Sequence, residues 1–251
     1  MSWLVGGLLA VWGCAHQPLR THSESNRAAL SLYMQGLMFE RTSRLDDALN
    51  AYRQAIEHDY NAPSLHVRLG ATYIKMGQPD QALKHFNRAL SMDPGHRDAL
   101  RWVAMLQTSQ GRIAEAITAY ERLLEQDPLD RFVLSTLADL YVLDGQLEQA
   151  ISVYQRLVQE YGPSHQLHFN LGVLFGRMGH LPQSIAEFSR ALELLPDSIE
   201  TRLALGLTYE LNQQPDRAAA HYEDAMRLDP LNARLCLHAA RAQASQQRYA
   251  E

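Results

Sequence analysis

Apolar residues in this chain fall in short runs at helical spacing, and the runs come in pairs. Over residues 63–96 the first run is Leu65, Leu69, Tyr73 and Met76, and the second is Ala82, Leu83, Phe86, Ala89 and Leu90. Steps of three and four put each set on one face, so each run predicts an amphipathic helix that packs through that face. Gly77 stands between the runs, free to take a positive φ and end the first helix. Pro79 follows near the start of the second helix, where a missing N–H costs nothing. Pro94 closes the unit because it cannot continue a helix.

The same order returns every 34 residues from Ala29 to Asn232 without insertion or deletion. The eighth place of the unit reads Gly36, Gly70, Ala104, Ala138, Gly172 and Gly206, always small. The twentieth reads Ala48, Ala82, Ala116, Ala150, Ser184 and Ala218; the twenty-fourth is always aromatic: Tyr52, Phe86, Tyr120, Tyr154, Phe188 and Tyr222. A small residue on one helix lets a neighbouring ring approach the backbone. Breaks recur at Gly77, Gly111, Gly145 and Gly179, and acidic residues Asp46, Asp80, Glu115, Glu148 and Asp216 sit in the first turn of five of the six second helices, where they favour the helix dipole. A period of this length marks a solenoid, whose units bury their apolar faces only against neighbours.

This constellation resembles the tetratricopeptide repeat. The resemblance covers six full units, 29–62, 63–96, 97–130, 131–164, 165–198 and 199–232, and implies an all-α fold, a right-handed α-α superhelix of helix-turn-helix repeats. A partial seventh unit, 233–251, begins with Leu235, Cys236, Ala239 and Ala240 in the expected places, and Cys236 is expected to pack inward as a small hydrophobe. It lacks a second helix, which suggests a fragment of a longer protein. Departures are Gln107 in place of an aromatic, Leu123 and Leu157 in place of alanine, and a proline delayed to Pro163 in the fourth unit.

The N-terminus reads differently. Trp3 to Trp12 is an apolar run too short for a membrane span of about 20 residues but suited to a secretion signal. Gly13-Cys14 follows, and a small residue before a cysteine resembles the bacterial lipobox, which implies a signal peptide over 1–13 and lipidation of Cys14. Residues 14–28 are polar, a flexible tether with a span of about 20 Å. Ala15 after the cysteine resembles cargo sorted to the outer membrane, facing the periplasm. An uncleaved anchor is the alternative, and so is a cytoplasmic protein in which Cys14 is incidental.

Composition excludes several partners. With 23 Lys and Arg against 28 Asp and Glu, and no dense basic run, attraction to nucleic acid has no source. Two cysteines cannot build a disulfide framework. No metalloprotease helix motif, phosphate loop or nucleophile elbow occurs, so no enzyme activity, cofactor or small-molecule substrate is expected within these residues. His165 and His168 share a helix face but lack a third ligand nearby, and zinc is set aside.

A surface remains. In proteins of this type the first helix of each unit lines a concave groove, and the resemblance implies that a protein or peptide partner binds there. The corresponding places include Val67 and Ile74; Arg101, Trp102 and Met105; Asp139 and Val142; Phe169, Asn170 and Val173; Leu203 and Leu207. They are mostly apolar. Several of the smaller ones could equally serve as packing between units. The basic clamp that holds C-terminal carboxylates in some relatives is missing, since only Arg68 has the right charge. The expected function is a membrane-tethered interaction scaffold that resembles the pilus-assembly lipoproteins and helps to assemble an envelope machine. Alternatives are the substrate-docking part of a larger enzyme and a cytoplasmic adaptor.

Overall fold

A computed structural model describes residues 22–59 and 62–249; nothing is described of side chains 22–26 and 243–249. The secretion signal and Cys14 lie outside the described residues. All regular structure among those residues is helical: α1 (His22–Arg41), α2 (Leu45–His58), α3 (Pro63–Lys75), α4 (Pro79–Met92), α5 (Arg97–Ser109), α6 (Ile113–Gln126), α7 (Arg131–Asp144), α8 (Leu147–Tyr161), α9 (His165–Arg177), α10 (Leu181–Leu194), α11 (Ile199–Leu211), α12 (Pro215–Leu228) and α13 (Ala233–Tyr249). From α3 onward first helices start at 34-residue steps, and second helices do so from α2 onward. Two compact units result, one ending at Pro94 and the other beginning at Gly95.

Within both units each first helix packs on the second helix that follows it, through the places that the repeat keeps small or aromatic. A Cβ placed on Gly36, Gly70, Gly172 or Gly206 would stand 2.3–2.6 Å from the ring of Tyr52, Phe86, Phe188 or Tyr222, sixteen residues on in each case. Glycine is therefore required by contact there. The aromatic places are nearly inaccessible, with Tyr52, Phe86 and Tyr222 at 0% exposure. Leu123 and Leu157, the larger residues where alanine was expected, are buried as well.

Helix ends follow chemistry that differs between the two helices of a unit. In the second unit the first helices are capped by side chains: His96, Asp130, Ser164, Ser198 and Asn232 accept from the backbone N–H three residues on. The turns into second helices instead use a left-handed residue, Gly77, Gly111, Gly145 or Gly179. The first and sixth repeats hold Ser43 at φ 60° and Gln213 at φ 57° in that place, a conformation a side chain disfavours. In the fourth repeat α8 runs on to Tyr161, and Gly162 at φ 86° ends it just before the delayed Pro163.

At the C-terminal end the inward packing expected of α13 is only partly realised. Leu235 and Ala239 are buried, but Cys236 is half-buried and Ala240 is exposed. No helix among the described residues is long and apolar enough to cross a membrane.

Candidate functional site

In the second unit the groove-lining places of α7 and α9 come together around one pocket of about 400 Å³. Its walls are Asp139, Val142 and Leu143 from α7, Tyr154 from α8, and Phe169, Asn170, Val173 and Leu174 from α9. Helical spacing explains the composition: Asp139, Val142 and Leu143 recur at three and four, as do Phe169, Asn170 and Val173, so each helix offers one stripe. The stripe of α9 is fixed from behind, where Phe169 tilts against the buried Phe188 with ring centroids 5.4 Å apart. Leu203 packs against the same core.

One wall of the pocket is polar. The Tyr154 hydroxyl donates to Asp139 Oδ1 at 2.5 Å, and burial together with this carboxylate pushes the phenol's pKa well up. The Asn170 side chain faces the same hydroxyl, and its Oδ1 accepts from Gln166 Nε2 at 2.8 Å. This polar wall follows a rule within the repeat. Tyr52, Tyr120 and Tyr222 direct their hydroxyls toward the residue twelve places earlier, Glu40, Thr108 and Glu210 respectively. The bond is formed at Glu40, whereas Tyr222 faces Glu210 without completing one. Where that earlier residue is Ile74 or Gly176, the ring is the phenylalanine Phe86 or Phe188, which needs no partner. Tyr154 has Val142 at that place and turns to Asp139, one helical turn back.

The residues expected to line the groove are spread over a range of exposure. Arg101, Met105 and Val173 are exposed, with Met105 at 44% and Val173 at 38%. Trp102, Phe169, Asn170, Leu203 and Leu207 are half-buried. In the first unit Ile74 is half-buried, and Val67, at 8%, is turned into the packing and presents little surface. Sequence reasoning passed over Leu143, which is 70% exposed at the pocket mouth, and over Tyr154 as a wall of the pocket. The pairing of each tyrosine with a polar residue twelve or fifteen places earlier was the available signal.

Histidines form a second set of contacts, none of it visible in the repeat pattern. His168 Nδ1 meets Glu187 at 2.6 Å in a buried pair that Arg190 also joins, and His165 Nε2 meets Thr201. At the corresponding places of the first unit, His66 and His85 face each other with their Nδ1 atoms 3.2 Å apart, and Tyr73 stacks on His85. Other repeats hold Leu100 with Ala119, or Leu134 with Val153, at these places. The described residues contain no group of three or more metal-ligating side chains.

Models of the tetratricopeptide repeat match residues 67–131, 108–168 and 203–251, more than half of the chain. The chain belongs to the tetratricopeptide repeat family. Among solved structures it resembles YrrB, described as a tetratricopeptide protein with an unusual peptide-binding site, at 20% identity and a TM-score of 0.61 over 76% of this chain and 98% of that one. A chain of the Naa15/Naa10 structure bound to HypK-THB superposes at a TM-score of 0.71 and 16% identity, over 88% of this chain and 35% of that one. MamA from Desulfovibrio magneticus RS-1 superposes at 0.55 and 18% identity, over 68% and 96%. At these identities the likeness is one of fold. No curated protein matches the sequence significantly.

Proposed function

We propose that this chain is a protein–protein interaction scaffold that takes an apolar or amphipathic segment of a partner along the first helices of its repeats. The observation that carries this reading is the mostly apolar pocket between α7, α8 and α9, together with the exposed Met105 and the half-buried Trp102, Leu203 and Leu207 on the other first helices of the second unit. Clustered apolar exposure of this kind usually marks an interaction site. Burying one such large side chain is worth roughly 1.5–3 kcal/mol, and interface energy concentrates in a few aromatic or long residues. Trp102 and Phe169 are the anchors. The lipobox-like Gly13-Cys14 and the polar stretch after it support a tether to the bacterial envelope, with the repeats facing the periplasm as part of an assembly machine.

Partner capture with wild type and with a Trp102→Ala, Phe169→Ala double variant tests the reading, with circular dichroism confirming that the variant stays helical. Capture should fall at least tenfold, the loss of a little over 1.4 kcal/mol. Undiminished capture by a folded variant would place the binding face elsewhere.

A further inference from the structure

We propose that the pocket between α7, α8 and α9 takes a basic side chain, arginine or lysine, from an otherwise apolar partner segment, and that Asp139 is the residue that selects it. This deepens the proposed function and rests on it. Through the six repeats the place of Asp139 reads Leu37, Ala71, Met105, Asp139, Val173 and Leu207, so a single carboxylate interrupts an apolar row. That carboxylate is exposed, and it lines the pocket.

The hydrogen bonds near it use up the donors of the wall. Gln166 Nε2 donates to Asn170 Oδ1, and the Tyr154 hydroxyl donates to Asp139 Oδ1. The phenol's donor is thus spent on an anion. Asp139 accepts this hydroxyl through Oδ1 and, being exposed at the pocket, presents its carboxylate to an incoming group as well. What the pocket offers an incoming group is an acceptor with negative charge, so the complementary ligand is a donor with positive charge.

The apolar walls narrow the choice further. Val142, Leu143, Phe169 and Val173 would cover the methylene stem of a long side chain while its head reaches Asp139. The Phe169 ring also offers an aromatic surface on which a guanidinium can lie. An acidic side chain or a C-terminal carboxylate would meet like charge in the same place. The chain's formal net charge of −5 favours approach of a basic segment.

A display library of short random peptides, panned against the full chain, tests this whatever the natural partner is. Four proteins are panned in parallel: wild type, Asp139→Asn, Phe169→Ala and the milder Leu143→Ser, Val173→Ser pair. Asparagine keeps the shape and can still accept from Tyr154, so only the charge is removed. Wild type should enrich peptides with one basic residue among apolar ones, and Asp139→Asn should lose the basic preference while keeping the apolar one. A selected peptide should bind Asp139→Asn roughly three- to tenfold more weakly, with the difference shrinking at high salt. Replacing its basic residue by norleucine should weaken binding to wild type by a similar factor. Enrichment of apolar peptides with no basic residue, lost in the Phe169→Ala or double variant, would overturn the role of Asp139 and leave the apolar groove standing. Enrichment indifferent to every variant, or no enrichment at all, would overturn both.

Discussion

Glycine 172 shows how little room the repeat leaves at a single position. A Cβ there would stand 2.6 Å from Phe188 Cδ1, and Phe188 is 3% exposed and also packed against the Phe169 ring. Helix propensity alone would favour almost any replacement by up to about 1 kcal/mol. Overpacking costs about 1–3 kcal/mol and more where the backbone must separate, so contact outweighs propensity. Gly172→Leu should therefore lower the melting temperature by several degrees, read by circular dichroism; an unchanged melt would mean that α9 and α10 do not meet as described. His85 makes a second point at this scale. Burial, then the neighbouring His66, Arg53 and Lys84, hold its imidazole down to about 4, and burial lowers His66 too. An unfolded histidine titrates near 6.5, so the unfolded chain binds more protons between these values. The contribution of the neutral pair to stability is whole above pH of about 6.5 and is lost as pH falls toward about 4. Denaturant midpoints at about pH 7 and about pH 5 should differ more for wild type than for a His66→Leu, His85→Ala variant, which copies the apolar pair Leu100 and Ala119 of the third repeat. Equal differences would remove the pair from the acid response.

Between two helices of a repeat the turn must reverse the chain, and the left-handed residue that begins the reversal is glycine in four repeats out of six. Ser43 and Gln213 adopt the same conformation with a side chain, at a cost of about 1–2 kcal/mol. Part of that cost would be returned as unfolded-state entropy on substitution by glycine. Gln213→Gly should still raise stability by about 0.5–1 kcal/mol, seen as a rise of about 1–4 °C in melting temperature. A fall would show that the Gln213 side chain makes a compensating contact. The elements themselves were legible from sequence, because helix spacing, breaking glycines, first-turn acids and terminating prolines are all local features. Ser43 and Gln213 were not legible for the complementary reason: their neighbours, through bonds such as Gln214 N–H to the Tyr209 carbonyl, impose a conformation that their own identity does not announce.

At the scale of the molecule the two ends of the chain differ in what they invite. If Cys14 is acylated, more than one lipid chain is needed for firm attachment, since a single chain holds a protein only marginally. Wild type should fractionate with membranes and Cys14→Ser should not; equal association of both would remove the lipid tether from the proposed function. The repeat period, the all-α class, and the ladder of small against aromatic places were determined by the sequence alone, because in a solenoid each unit packs on its neighbours and the same local contacts are written six times. The groove row was legible in outline for the same reason. Only the tertiary structure decided which members of that row face solvent, since Val67 and Val173 carry the same side chain, yet one is packed away and the other is exposed. It also decided that Asp139, Tyr154 and Asn170 meet at a single pocket. They come from three helices and more than thirty residues of chain, and their meeting depends on how α7, α8 and α9 pack, on a hydroxyl turning to Asp139 because Val142 offers it no partner, and on Phe169 being braced by Phe188.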